Sequence, residues 1–153
     1  MSSIKDVGEL NKKFGFPVLD KPGFLAPSHM QMRLDFLLEE VNELAEATGF
    51  ELGLNTKGKI GYIHSSTNCE LDKALDALID ITYVALGTAD MMGFGSHVPL
   101  ECMSKWSSIW WESWNRVHTA NMAKERGKTS RGHDIDLIKP AGWKKPEFGD
   151  LLC

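Results

Sequence analysis

FLLEEVNELAEAT, residues 36–48, sets four glutamates, Glu39, Glu40, Glu43 and Glu46, among Phe36, Leu37, Leu38, Val41 and Leu44. Advancing about 100° per residue, Met30, Leu34, Leu37, Leu38, Val41, Leu44 and Ala45 gather on one broad stripe, the expected core face of a long helix over residues 28–48. Glu46 falls on the far side, towards water, and Glu39 lies between. Glu40 and Glu43 flank the stripe beside Arg33, Phe36 and Ala47. As an i, i+3 pair their carboxylates converge, which is costly unless something positive stands between them. The stretch therefore points to a helix and to a cation together.

A second helix repeats the theme. CELDKALDALIDITYVALGTADMM, residues 69–92, carries a wide apolar band of Leu71, Ala74, Leu75, Leu78, Ile79, Ile81, Thr82, Ala85 and Leu86. Asp72, Asp76, Asp80, Tyr83 and Gly87 form one narrow strip through it. On either helix alone an acidic strip reads equally well as a solvated face. That both helices carry a carboxylate pair, at i, i+3 and i, i+4, beside otherwise buried surface favours a shared interior site. Four or five carboxylate oxygens with no histidine or thiolate nearby suit a hard divalent cation, Mg²⁺ or Mn²⁺.

Working outward, Ser2 or Ser3 caps a short helix in which Ile4, Val7 and Leu10 recur at helical spacing. Residues 14–27 hold three prolines and two glycines and read as an extended loop. The glycine-rich segment 51–68 fits a small hairpin or a loop, and a third helix is expected over residues 101–124. Beyond it the chain is polar and rich in glycine and proline. The expectation is one all-α domain over residues 1–153, a helical bundle with a long C-terminal arm.

Composition bounds the function. The chain's 153 residues, 42% of them hydrophobic, suffice for one core. No apolar run reaches the eighteen or so residues of a membrane span, and MSSIKDVGEL lacks a signal-peptide core, so a cytoplasmic protein without a membrane partner is expected. Cys69, Cys102 and Cys153 are widely separated and read as free thiols. The net charge of -4 conceals an uneven spread. From Leu34 to Asp80 ten acids face only Lys57, Lys59 and Lys73, whereas between Arg116 and Lys145 the bases Lys124, Arg126, Lys128, Arg131, Lys139, Lys144 and Lys145 face Glu125, Asp134 and Asp136. Such a split suits a small polyanion held between metal-binding acids and phosphate-binding bases, and the overall acidity argues against a nucleic-acid partner.

Two motifs are discounted. Di-iron bundles use Glu-x-x-His pairs, and no histidine here has a glutamate three residues earlier. RGKTS, residues 126–130, looks like the end of a P-loop, but Met122 stands where the earlier glycine belongs. Trp106, Trp110, Trp111 and Trp114 recur at helical spacing, which is more often core or oligomer contact than a base-stacking platform. Trp143 lies in the polar arm, where it either stacks on a nucleobase or docks the arm.

Glu39-Glu40-Val41-Asn42-Glu43 followed by the acid-rich segment 76–80 resembles the EExxE and ExxD motifs of the MazG-like all-α nucleoside triphosphate pyrophosphohydrolases. The likeness is closer to their phosphoribosyl-ATP pyrophosphohydrolase-like branch, with phage members among the similar proteins. FGFPVLDKP, DALIDITYVALGTA and VHTANMAK leading into KPAGWKKPEF extend it over most of the chain. The resemblance implies hydrolysis of a nucleoside triphosphate between the α and β phosphates, in control of nucleotide pools. It also implies Mg²⁺ or Mn²⁺ on Glu40, Glu43 and Asp80, with Glu39 either a further ligand or the group orienting the attacking water. Asn121 and Lys124 match nucleotide and phosphate contacts, and Arg33, Lys139 and Trp143 are further substrate-binding candidates, Lys124 acting also in catalysis.

Two departures stand out. The motif's glutamate would fall at Ala77, so Asp76, one residue earlier and shorter, is the substitute ligand. The stretch between Glu43 and Asp80 is also longer than the pattern. Base recognition is open among Gln31, Asn42, Ser65, Asn68 and the arm, and dGTP or GTP is the first candidate substrate. A homodimer or homotetramer is expected. The rival readings are a non-catalytic helical module binding nucleotide or protein, and a nucleotide sensor in which Ala77 marks lost activity.

Overall fold

A computed structural model describes residues 3–54, 58, 60–95, 108–127 and 136–152. Four helices follow in order: α1 (Ser3–Phe14), α2 (Pro27–Ala47), α3 (Leu71–Met91) and α4 (Ile109–Met122). The all-α expectation holds for these and needs correcting for two small antiparallel ribbons, β1 (Phe50–Leu54) with β2 (Ile60–His64), and β3 (Glu125–Gly127) with β4 (Asp136–Ile138). Contacts gather the chain into two compact units, Met1–Gly93 and Phe94–Cys153. Among the described residues no helix is long and apolar enough to cross a membrane.

In the first unit α2 and α3 pack along their length, and α1 packs on α3. Ile4, Val7 and Asn11 bury one face of α1, and Asn11 Nδ2 donates to Asp90 Oδ2 at 2.9 Å. The loop after α1 returns along the end of α3, where Leu19 N–H donates to Met91 O at 3.0 Å and Gly23 N–H to Met92 O at 3.1 Å. Pro27 opens α2 from its first turn, where a missing N–H costs nothing.

The buried face of α2 overlaps the apolar stripe read from the sequence only in part: Ala45 is buried and Met30, Leu37, Val41 and Leu44 are half-buried. Arg33, Ala45 and Ala47 are buried, while Leu34 and Leu38 stand 53% and 54% exposed. On α3 the buried set is Ala74, Ala77, Leu86, Gly87, Ala89 and Met91, while Leu71, Leu75, Leu78 and Ile79 are exposed. Small side chains let the two helices approach closely, and that approach decides which face turns inward. Gly87 shows how tight the seam is: a Cβ there would lie 2.9 Å from Arg33 Nη2 and 3.1 Å from Val7 Cγ1. The large aliphatics are left pointing away from the unit.

The segment after α2 forms the hairpin, one of the two forms expected of it. Leu52 faces Tyr62 across the ribbon, and the Phe50 and His64 rings meet edge to face at 5.3 Å. Alternation puts Phe50, Leu52, Tyr62 and His64 on one side, and β1 packs against α2.

The second unit has its own small core, Ile109 and Leu151 with Phe94 and Phe148. Ser108 caps α4, its Oγ accepting from Trp111 N–H at 3.3 Å. This cap begins the helix at Ile109, later than expected, and residues 101–107 with Trp106 lie outside the described residues. Trp110 and Trp111 are half-buried and Trp114 is exposed. Beyond α4 the arm folds back on it: Arg116 donates through Nη1 and Nη2 to the two Asp150 oxygens at 2.6 and 2.7 Å, through Nε to Glu112 Oε1, and through Nη1 to Glu147 O.

Candidate active site

Of the carboxylates singled out by sequence, Glu40 on α2 and Asp80 on α3 are half-buried. Arg33, Glu40 and Ala47 are seven residues apart, so they share one face of α2. Arg33 and Ala47 are buried and Glu40 is half-buried on that face. Glu40 is the focus of the cluster. Burial raises its carboxyl above the ordinary value, and the negative charges of Asp80, Glu43, Glu39 and Asp76 raise it further. Every acid expected as a ligand is therefore electrostatically coupled to Glu40. Asp80 is half-buried, whereas Glu39, Glu43 and Asp76 are exposed. Ala77, where the motif's glutamate would stand, is buried.

Among the described residues no three His, Cys, Asp or Glu side chains already converge as ligands around one point. The donor set nonetheless fits a hard divalent cation: carboxylates alone, from two helices, with negative charge accumulated at a half-buried position. A cation would relieve the repulsion that raises Glu40.

Arg33, expected from sequence as a substrate contact, is engaged between the helices. Its Nη2 donates to Val84 O at 2.8 Å and its Nε to Thr88 Oγ1 at 3.1 Å. Burial lowers its pKa, and the guanidinium lies 5.7 Å from the Phe36 ring. Arg33 fills the space that a side chain at Gly87 would need.

Sequence reasoning named Asn42 but not its neighbours. A cleft of about 240 Å³ lies between α2 and the hairpin, lined by Asn42, Ala45, Glu46, Phe50, Glu51, Leu52 and Tyr62. Tyr62 Oη donates to Asn42 Oδ1 at 2.7 Å. The signal for it was the strand alternation of residues 60–64, which places Tyr62 on the same side as Ile60 and His64.

The second unit holds the other candidates. Asn121 is exposed in the last turn of α4, and its carbonyl accepts from Lys124 N–H at 3.1 Å. Trp143 docks the arm, its Nε1 donating to Ala120 O at 2.7 Å. Lys139 Nζ lies 4.5 Å and Lys124 Nζ 5.9 Å from the centre of its ring. The turn that presents Trp143 is closed by its N–H on Pro140 O at 3.0 Å, with Gly142 at φ +80°, a conformation other residues rarely adopt.

A family model described as phosphoribosyl-ATP pyrophosphohydrolase matches residues 7–101. The matched segment contains α2 and α3 entire, with Glu39, Glu40, Glu43, Asp76 and Asp80. Asn121, Lys124, Lys139 and Trp143 lie beyond it. No curated protein matches the chain.

Proposed function

The chain belongs to the phosphoribosyl-ATP pyrophosphohydrolase family, and from that premise we propose that it hydrolyses a nucleoside triphosphate between the α and β phosphates, releasing the monophosphate and pyrophosphate. Family membership makes it a pyrophosphohydrolase acting on a nucleotide-like substrate. The observation that carries the finer reading is Glu40, half-buried on α2 and made less acidic first by that burial and then by the charges of Asp80, Glu43, Glu39 and Asp76. Glu39, Glu40, Glu43, Asp76 and Asp80 would hold Mg²⁺ or Mn²⁺. When bound, such an ion supplies charge neutralisation at the phosphoryl oxygens and acidification of water.

The remaining steps fall to the chain's own groups. Glu39, exposed next to Glu40, serves either as a further ligand or to orient the attacking water by accepting its proton in a hydrogen bond. Asn121 contacts the nucleotide, and Lys124 and Lys139 carry the positive charge suited to the polyphosphate and to the leaving pyrophosphate. No covalent nucleophile is required. For the base, guanine is proposed first. Tyr62 occupies Asn42 Oδ1 and leaves Nδ2 to donate, while Glu46 and Glu51 accept. One donor beside two acceptors is complementary to the guanine edge, a carbonyl followed by two N–H donors.

The exposed stripes on α2 and α3 support a homodimer or homotetramer. Leu71, Leu75, Leu78 and Ile79 are 86%, 62%, 50% and 57% exposed, more clustered apolar surface than a monomer ordinarily leaves in water. The reading is tested by turnover of the nucleoside triphosphates with Mg²⁺ or Mn²⁺. Glu40→Gln is expected to lower the divalent-dependent rate at least about a hundredfold while circular dichroism stays unchanged. Equal rates in the two proteins would refute the assigned site.

A further inference from the structure

Two lysines converge on one indole in the second unit, and nothing in the fold requires them there. Lys139 Nζ stands 4.5 Å and Lys124 Nζ 5.9 Å from the Trp143 ring centre, each within the range of a cation–π contact. The two ammonium groups come from different segments, Lys124 at the end of α4 and Lys139 just after β4. Among the described residues no carboxylate lies within ion-pair range of either, the ion pairs formed being Lys73 with Glu70 and Arg116 with Glu112 and Asp150. Glu112 and Asp150 of the same unit are held by Arg116.

The indole itself is fixed. Its Nε1 is bonded to Ala120 O at 2.7 Å, and its backbone N–H closes the turn on Pro140 O. Ala120 is one turn of helix before Lys124, so a single side chain ties the arm to the end of α4 that carries this lysine. Lys144 and Lys145 follow directly in sequence and, with Trp143, Asn115, Glu112 and Glu147, line a cleft of about 1040 Å³.

We infer that Trp143 is a positioning residue: its ring face holds the Lys124 and Lys139 ammonium groups beside it as a cationic clamp for the diphosphate portion of a nucleotide. This rests on the proposed triphosphate substrate for its biological meaning, but the clamp itself needs only a diphosphate anion. Trp143 touches neither the reacting atoms nor the base in this scheme; it acts through the lysines. A ring face attracts a cation without neutralising it, so the ammonium groups stay available to the anion.

The test uses inorganic pyrophosphate as the probe, with the full chain and no triphosphate present. Calorimetry is expected to show pyrophosphate binding that weakens with added salt and falls roughly tenfold in Trp143→Ala and in Lys139→Ala. Trp143→Phe, which keeps a ring face but loses the Nε1 bond, should recover most of the affinity. With a triphosphate substrate, KM should rise in Trp143→Ala by a similar factor while kcat changes less. A residue that merely pins the arm would give the opposite pattern, with Phe no better than Ala in thermal stability and pyrophosphate affinity untouched in both. If the wild-type chain fails to bind pyrophosphate, or if the folded Trp143→Ala and Lys139→Ala variants bind it unchanged, the clamp is refuted even though triphosphates are hydrolysed. If the clamp behaves as expected and no triphosphate is turned over, the proposed reaction fails and the clamp stands.

Discussion

At the scale of single residues, Arg33 and Gly87 define how α2 meets α3. Two donors of the buried guanidinium reach Val84 O and Thr88 Oγ1 across the seam, and Gly87 leaves it room. Gly87→Ala is expected to cost about 1–3 kcal/mol, because the added methyl has no free volume between Arg33 and Val7. Arg33→Met removes charged hydrogen bonds to the neighbouring helix and should cost about 1–3 kcal/mol as well. Urea denaturation measures both, and an unchanged midpoint in either would show that the seam is less tightly packed than described. The crowding of negative charge around Glu40 was legible from sequence because an i, i+3 acidic pair beside apolar surface is a local pattern. Arg33 was not, since a lone basic residue in an acidic helix looks the same whether it meets phosphate or a carbonyl, and only the packing of Gly87 against it separates the two.

At the scale of elements, helix periodicity found α2 and α3 nearly to the residue but only part of the side of each that turns inward. Period alone marks a stripe of leucines as core, whereas close packing favours the alanines and glycine that let two helix axes approach. The hairpin was half legible: alternation over residues 60–64 suggested a strand, and glycines on either side left its pairing open. The arm was the least legible element, because the contacts that order it join positions far apart in sequence. One of these gives a pH prediction. The hydrogen bonds from Arg116 hold the Asp150 carboxyl below the usual carboxylate range. A carboxyl depressed in the folded chain contributes stability in full above its unfolded value, about 3.9, and loses it as pH falls through the lower folded value. Thermal melting followed from pH 6 to pH 3 should therefore show an acid-side loss that Asp150→Asn reduces. An identical slope in the variant would mean that the arm is held by its apolar contacts alone.

At the scale of the whole molecule, the exposed leucines of α2 and α3 and the shared carboxylates belong to the same pair of helices, so association and chemistry are expected to depend on one another. Light scattering after size exclusion should give a mass at least twice that of the 153-residue chain. Leu75→Glu, which places a charge on the exposed stripe, should shift it towards the monomer. A monomeric wild-type chain would leave those stripes without the proposed cover. The central claim is more direct than any of these: carboxylates gathered around Glu40 hold a divalent cation for cleavage between the α and β phosphates. Phosphorus NMR of the products formed from dGTP with Mg²⁺ or Mn²⁺ tests it. The account predicts dGMP and pyrophosphate, and neither after the metal is chelated; dGDP with orthophosphate, or turnover that survives chelation, would contradict it.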